Sequence, residues 1–301
     1  MELPTAWSLD DKSSFLSVDS SGLRVNYEGL GESQNETGAI RANHPIPPQC
    51  KLFYFEVDII DEGKNKIIGI GFCEKKVDLN KMPGWDDGSL GYHGDDGKSF
   101  CSGDGNSYGP LFSTGDTIGC CLNFTNNTVF YTKNGIYLGI AFRDLKGNLY
   151  PCVGLRSRGG SIEANFGHRK FKYTAINGDD IDDESLGKKW TNALNMCDNA
   201  NDLINFLKIK QDTAHALKCR GKFNFIMEKY DDALIDLTRL LEIESNSKFA
   251  LRYRGEIYYL MGKYKESCKD VNKLLKIEVN DEWASKIFIE LSKKILLFSW
   301  N

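Results

Sequence analysis

At 301 residues the chain is long enough for two domains, each able to bury a core of its own. Its 41% hydrophobic and 27% charged residues describe an ordinary globular protein, and its longest apolar runs are far too short to span a membrane. A net charge of −4 argues against a nucleic-acid backbone as the main partner. Met1-Glu2-Leu3-Pro4 begins no signal peptide, so a cytoplasmic protein is expected, with the nucleus also open to it. The nine cysteines show no C-x-x-C spacing and sit among apolar neighbours. Free, mostly buried thiols are expected rather than a disulfide framework or a zinc site.

Along residues 52–59, Phe53, Phe55, Val57 and Ile59 alternate with Tyr54, Glu56 and Asp58, the period of a half-buried strand. Residues 84–112 are crowded with glycine and aromatics, carry Asp86, Asp87, Asp95, Asp96 and Asp104, and show no helical period. Glycine lets the backbone turn through positive φ, so this block reads as a folded loop that Trp85, Tyr92, Phe100, Tyr108 and Phe112 anchor to a scaffold. Alternation resumes at Ile118, Cys120, Leu122 and Phe124, and Asn134-Gly135 supplies a tight hairpin turn within residues 128–142. Short strands parted by Gly, Pro and Asn turns predict an antiparallel β-sandwich.

The phrases GYHGDDG, SFCS, YGP, TGD, IGCC, FYTKNG, LGIAF, LYP and ANFG, in this order, resemble the SPRY domain family, and within it the RanBPM type. The likeness covers residues 5–175. It implies two packed antiparallel sheets whose loops at one edge hold a short extended peptide. The peptide-binding residues it implies are Arg41 and Asn43 in IRANHP, Tyr92, His93, Asp95 and Asp96 in GYHGDDG, and Arg156, Ser157 and Arg158. Tyr92 would offer a flat apolar face with a hydroxyl handle. Asp95 and Asp96 either accept hydrogen bonds from a peptide or stabilise their own turn, and both readings stand. For Arg41 the plainer reading is a solvated surface cation. Trp7, Trp85, Phe53, Phe55 and Phe130 read as core.

Composition changes near residue 180. Of 29 glycines, 26 lie at or before Gly187, and all seven prolines lie at or before Pro151. The acidic tract 177–187 reads as an exposed connector between a β domain of residues 1–176 and a helical domain of residues 188–301. Up to Gly187, 18 Lys/Arg face 26 Asp/Glu; beyond it, 20 face 16. The first part is acidic and the second mildly basic.

Residues 214–247 and 248–281 repeat at a spacing of 34. Leu217 recurs as Leu251, Arg220-Gly221 as Arg254-Gly255, Lys229-Tyr230 as Lys263-Tyr264, and Asp236 as Asp270. This resembles the tetratricopeptide repeat (TPR), in which paired helices pack through small residues, here Gly221, Gly255, Ala233 and Ser267. Residues 190–210 read as a degenerate first repeat and residues 282–298 as a capping helix. The resemblance implies a concave groove lined by Arg220, Asn224, Arg254 and Tyr258, basic enough to suit an acidic tail. So short an array is also open to self-association.

Catalytic signatures are few. No dinucleotide fingerprint, P-loop or G-x-S-x-G elbow occurs, and the four histidines (44, 93, 168 and 215) leave few general bases. His93 near Asp95 and Asp96 mimics a base with its orienting carboxylate, so the alternative is an enzyme or metal-dependent protein built on the GYHGDDG loop. The aspartates lack the spacing and closing glutamate of a calcium loop, and no metal or cofactor is expected. Lys263, Lys265, Lys269, Lys273 and Lys276 alternate with acidic residues, the mark of a solvated helix face. The expectation is a non-enzymatic adaptor with no nucleic-acid or membrane partner. Its SPRY edge takes a short linear motif and its TPR helices take a second protein or tail. The RanBPM resemblance adds presentation of substrates to a ubiquitin ligase.

Overall fold

Strands with one apolar face must bury it, and two sheets stacked face to face let them do so. In the computed structural model, which describes residues 2–47, 49–177, 199–209 and 213–298, the N-terminal half forms two seven-stranded antiparallel sheets. The first runs β1 (Trp7–Lys12), β4 (Gly38–Ala42), β13 (Tyr150–Leu155), β6 (Ile68–Cys73), β7 (Ser89–His93), β8 (Lys98–Cys101) and β9 (Asp104–Ser107). The second runs β12 (Ile136–Phe142), β11 (Thr128–Lys133), β10 (Thr117–Asn123), β5 (Leu52–Asp61), β14 (Ser161–Asn165), β3 (Arg24–Tyr27) and β2 (Leu16–Val18). Between them, Trp7 meets Phe166 edge-on at 5.2 Å and Phe55 meets Phe72 at 5.8 Å. The Trp7 indole N–H donates to the Leu23 carbonyl at 3.0 Å.

β5 departs from its half-buried pattern. Phe53, Phe55, Val57 and Ile59 enter the core as their alternation requires. Tyr54 and Glu56, on the opposite face, are buried too, because the segment after β14 covers them. Phe171 meets the Tyr54 ring edge-on at 4.9 Å, and the Tyr173 N–H donates to Glu56 Oε1 at 3.0 Å. Burial raises the Glu56 carboxyl above its ordinary value, while the bonds it accepts from Tyr54 and the 172–173 backbone pull the other way. At the β11–β12 turn, Asn134 and Gly135 hold φ of 53° and 76°, the successive left-handed residues a tight hairpin needs.

The glycine-rich block 84–112 is not all loop: it contributes β7, β8 and β9. Its glycines serve a close approach. Met82 and Pro83 lie buried on the outer face of the first sheet, where Gly91 and Gly154 present no side chain. A Cβ on Gly91 would stand 2.5 Å from the Pro83 carbonyl oxygen, and one on Gly154 would stand 2.5 Å from Pro83 Cδ. Both are far inside van der Waals contact.

The chain divides into two compact units, Met1–Tyr173 and Thr174–Asn301. Residues 174–177 therefore go with the helices, where the fully buried Lys222 donates to the Thr174 and Asn177 carbonyls. The rest of the expected connector, together with Gly187 and Trp190, lies outside the described residues. The described helices are α1 (Ala200–Leu207), α2 (Ala214–Ile226), α3 (Tyr230–Ile243), α4 (Lys248–Leu260), α5 (Tyr264–Ile277) and α6 (Glu282–Phe298). The α2–α3 pair recurs as α4–α5 with every boundary moved by 34 residues. Within each pair a glycine admits the partner helix: a Cβ at Gly221 would meet Leu237 at 3.3 Å, and one at Gly255 would meet Val271 at 3.4 Å. Among the described residues, no helix is long and apolar enough to cross a membrane.

Placing a β-branched side chain where Pro83 lies should lever that segment off the sheet. Gly154→Val is expected to lower the stability of the β unit by about 1–3 kcal/mol or more, read as an earlier urea midpoint. An unchanged midpoint would show that the segment is not seated on the glycines.

Candidate functional site

Three turns meet at one edge of the sandwich because sheet register brings their strands' ends together. Leu155, at the end of β13, pairs with Ile68, and Gly69 of β6 pairs with His93, at the end of β7. The turns are residues 62–67, 94–97 and 156–160. The Gly94 N–H donates to the Ile68 carbonyl at 2.9 Å, Gly97 to His93 at 3.1 Å and Lys64 to Arg158 at 3.0 Å. Ser157 is fully buried between two of these turns. Its hydroxyl donates to the Glu62 carbonyl at 2.6 Å and accepts from the Asn65 and Lys66 amides at 3.0 and 2.9 Å. Ser157 is thus a staple and not a peptide contact, because its whole bonding capacity is spent inside the fold.

Tyr92 is not a surface anchor either. Strand alternation turns Leu90 and Tyr92 inward, and the Tyr92 ring packs among Tyr108, Phe112 and Tyr131 at 5.2, 5.2 and 5.3 Å. Its hydroxyl donates to the Pro110 carbonyl, and burial raises its pKa well above the ordinary phenol value.

His93 points outward but is covered. Its Nε2–H donates to the Pro83 carbonyl at 2.8 Å and its ring lies 4.4 Å from that of Phe100. Burial lowers its pKa below 6.5 despite the fields of Asp95 and Asp96, so the imidazole is held neutral with its proton on Nε2. That nitrogen holds a structural proton and accepts none from a substrate. One potential ligand atom from each of His93, Asp95 and Asp96 lies within 4.8 Å of the others. Asp96 is already engaged, accepting the Lys98 amide at 3.0 Å, with the Lys98 ammonium 3.8 Å from its second oxygen.

Arg41 and Asn43 lie elsewhere. In β4, Gly38 pairs with Leu155 beside the turns, whereas Arg41 pairs with Cys152 further along. Arg41 is 4% exposed; its Nε donates to Asp11 at 2.9 Å and both terminal nitrogens donate to the Val77 carbonyl at 3.2 Å. It is an internal cross-link, neither a solvated cation nor a ligand contact. Asn43 ties the N-terminal strand down, accepting the Thr5 amide at 3.1 Å and donating to the Thr5 hydroxyl at 3.0 Å.

What the edge does present is Asp95, Asp96 and Arg158, all exposed, with half-buried Arg156. Partial desolvation raises the Asp95 carboxyl, while its own backbone N–H and the positive charge of Arg156 pull it the other way. The Arg156 guanidinium sits 5.7 Å over the Trp85 ring. Trp85 was expected in the core with Trp7, Phe53, Phe55 and Phe130, which are buried. Instead it is half-buried on the outer face. The available signal was its position: it follows Pro83-Gly84 in a turn, outside any alternating run.

In the helical unit the expected groove arginines are neutralised. Arg220 donates to both oxygens of Asp236 at 2.8 and 2.6 Å, and Arg254 to both of Asp270 at 2.7 and 2.8 Å. Arg254 also donates to the Thr238 hydroxyl at 3.2 Å and lies 5.9 Å over Tyr258. These bidentate pairs clamp the two helices of each repeat, so they supply no basic groove. Asn224 is buried at 5% exposure and lines a 340 Å³ cavity bounded by the start of α1, by α2 and by α3. Arg220 and Asp236 share that cavity; Arg254 and Tyr258 do not line it.

Residues 52–169 match the family described as the SPRY domain, so the β-sandwich unit carries a SPRY domain. The chain is 52% identical over 172 residues to Ran-binding protein 9 of Homo sapiens, covering 57% of this chain and 24% of that protein. It is 52% identical over 175 residues to the Ran-binding proteins 9/10 homolog of Drosophila melanogaster, covering 58% and 18%. With the Ran-binding protein M homolog of Arabidopsis thaliana the figures are 35% over 174 residues, covering 57% and 37%. The chain therefore spans well under half the length of the curated relatives it matches. A solved human SPRY domain superposes with a TM-score of 0.47 at 29% identity, covering 53% of this chain and 99% of that chain.

The buried neutral His93 carries a pH signature. The unfolded chain takes up this proton near pH 6.5, the folded chain only at lower pH, so stability falls as pH drops through that interval. In His93→Gln this contribution should vanish, leaving a flatter dependence of the urea midpoint between pH 5 and 7. Loss of the bond to Pro83 should also cost about 0.5–1.5 kcal/mol at pH 8. Parallel curves for the two proteins would show that His93 is not held neutral.

Proposed function

We propose that this chain is a non-enzymatic protein-interaction adaptor whose SPRY edge grips a short linear motif while its TPR-like helices hold a second protein. The observation that carries the reading is the edge itself. Asp95, Asp96, Arg156, Arg158 and Trp85 offer both signs of charge and an aromatic face; Ser157 and Lys64 bond two of the turns beneath them to each other, and Gly94 bonds the third to Ile68 of β6. A surface ordered before its ligand arrives loses little entropy on binding, and a half-buried tryptophan is a typical anchor.

Carboxylates beside guanidinium groups suit a peptide with polar or mixed charge, and nothing in the arrangement polarises a bond for cleavage. The His93 proton is committed to a carbonyl, which weighs against the alternative of a reaction on the GYHGDDG loop. The similar relatives are named for binding Ran, and such a protein partner is compatible with an adaptor. Presentation of a bound protein to a ubiquitin ligase, in cytoplasm or nucleus, is the task the RanBPM resemblance implies for the pair of surfaces.

A peptide array probed with the full-length chain tests the reading. Trp85→Ala, and separately Asp95→Ala combined with Asp96→Ala, should each weaken the recovered peptides by about 2 kcal/mol, roughly 30-fold. Asn43→Ala, remote from the edge, should leave their affinity unchanged. Wild-type affinity in both edge variants would move the binding site elsewhere on the molecule.

A further inference from the structure

We propose that α6 is held by a proton-sensitive latch: buried Glu256 leaves Arg252 seated on Trp283 only while its carboxyl is neutral, so rising pH loosens α6 from α4. The device does not depend on what the helical unit binds. Glu256 is 4% exposed, and its Oε1 is buried with no hydrogen-bond partner. Arg252 stands one helical turn before it, yet its guanidinium is turned to α6, 5.1 Å over the Trp283 ring. The Arg252 Nε–H and the Trp283 indole N–H are also buried without an acceptor. Three unpartnered polar atoms therefore lie along one turn of α4 and the start of α6.

The internal repeat supplies a control. Thirty-four residues before Glu256, Lys222 is fully buried as well, but its ammonium donates to the Thr174 and Asn177 carbonyls. Glu256 has no such answer, so the site tolerates the neutral acid far better than the carboxylate. Burial raises its carboxyl to about 7 against the pull of Arg252. Other charges on the neighbouring helices are already spent: Asp236 of α3 on Arg220, Asp270 of α5 on Arg254, and Glu290 of α6 on Lys293. Glu282 and Lys286 of α6 are exposed. Among the described residues, Arg252 is the countercharge that acts on Glu256.

With the carboxyl neutral, Arg252 rests on the indole, and Trp283, Ala284, Ile287 and Leu291 of α6 stay buried. Once ionised, the carboxylate one turn away competes with the ring for the guanidinium, and a charge-assisted bond is the stronger attraction. Arg252 then leaves Trp283, and α6 loses the contact that seats its first turn. A solvated Glu256 releases its proton near 4.5, the buried one near 7. The closed form therefore binds the extra proton between those values. Its advantage falls as pH rises through that interval and is gone above about pH 7. The dependence runs opposite to that of His93 in the β unit.

The test is amide hydrogen exchange of the full-length chain between about pH 5.5 and 7.5, with the intrinsic pH dependence of exchange divided out. Protection of the α6 amides should fall about tenfold or more across that range, while that of α2 and α3 stays level. In Glu256→Gln, a neutral side chain of the same shape, α6 should keep its protection at both ends of the range. That variant should also melt at or above the wild-type temperature at pH 7.5, so its flat profile would not reflect misfolding. Fluorine NMR of the chain labelled with 5-fluorotryptophan reads the link through Arg252. The Trp283 resonance, identified by its loss in Trp283→Phe, should move over the same interval in the wild type and stay still in Glu256→Gln. Level protection of α6 in the wild type would overturn the latch, as would the same fall in Glu256→Gln or a loss shared equally by α2 and α3. A Trp283 resonance that stays still while α6 loosens would overturn the role given to Arg252.

Discussion

The seating of Met82 and Pro83 against bare backbone is the contact on which the SPRY edge depends. Gly91 and Gly154 leave room for the proline, and the His93 Nε2–H fixes the height at which it rests by donating to its carbonyl. Several features follow from that one approach. His93 is buried and neutral because the segment covers it. Trp85, two residues beyond Pro83, is delivered to the outer face, where Arg156 stacks on it. The chain then turns into β7, whose end supplies Asp95 and Asp96. A set of residues that looks chemical in sequence is in large part the framework that holds a few others in place.

The helical unit uses the same economy differently. Gly221 and Gly255 let paired helices approach, and each pair is clamped by one arginine and one aspartate at the same 34-residue offset. Desolvated bidentate pairs specify one arrangement well and lose much when a single partner is removed. The arginines are consequently spent within the repeats.

The fold was legible where the signal is local. The strand at β5 and the Asn134-Gly135 turn need only a few neighbouring residues to be read, and the 34-residue spacing recurs in the helix boundaries; the half-burial of β5 does not appear, because residues 171–173 cover its outer face. The site was less legible because side-chain roles depend on distant partners. Arg41 is buried by Asp11, 30 residues away, and by the Val77 carbonyl. Ser157 is consumed by the turn at residues 62–67, more than 90 residues before it. Tyr92 turned inward because strand parity, invisible in a glycine-rich run, puts it on the core face beside Leu90. The Arg–Asp clamps were visible in principle, since Arg220 and Asp236 recur together.

Amide hydrogen exchange of the free full-length chain tests most directly whether the edge proposed for binding is ordered in the chain by itself. The amides of Gly94, Gly97, Lys64 and Lys66, all bonded across or within the turns, should be slowed by about 10³-fold or more, comparable with the neighbouring strands. Exchange of those amides at the rate of an open chain, while the strands stay protected, would contradict a preformed edge.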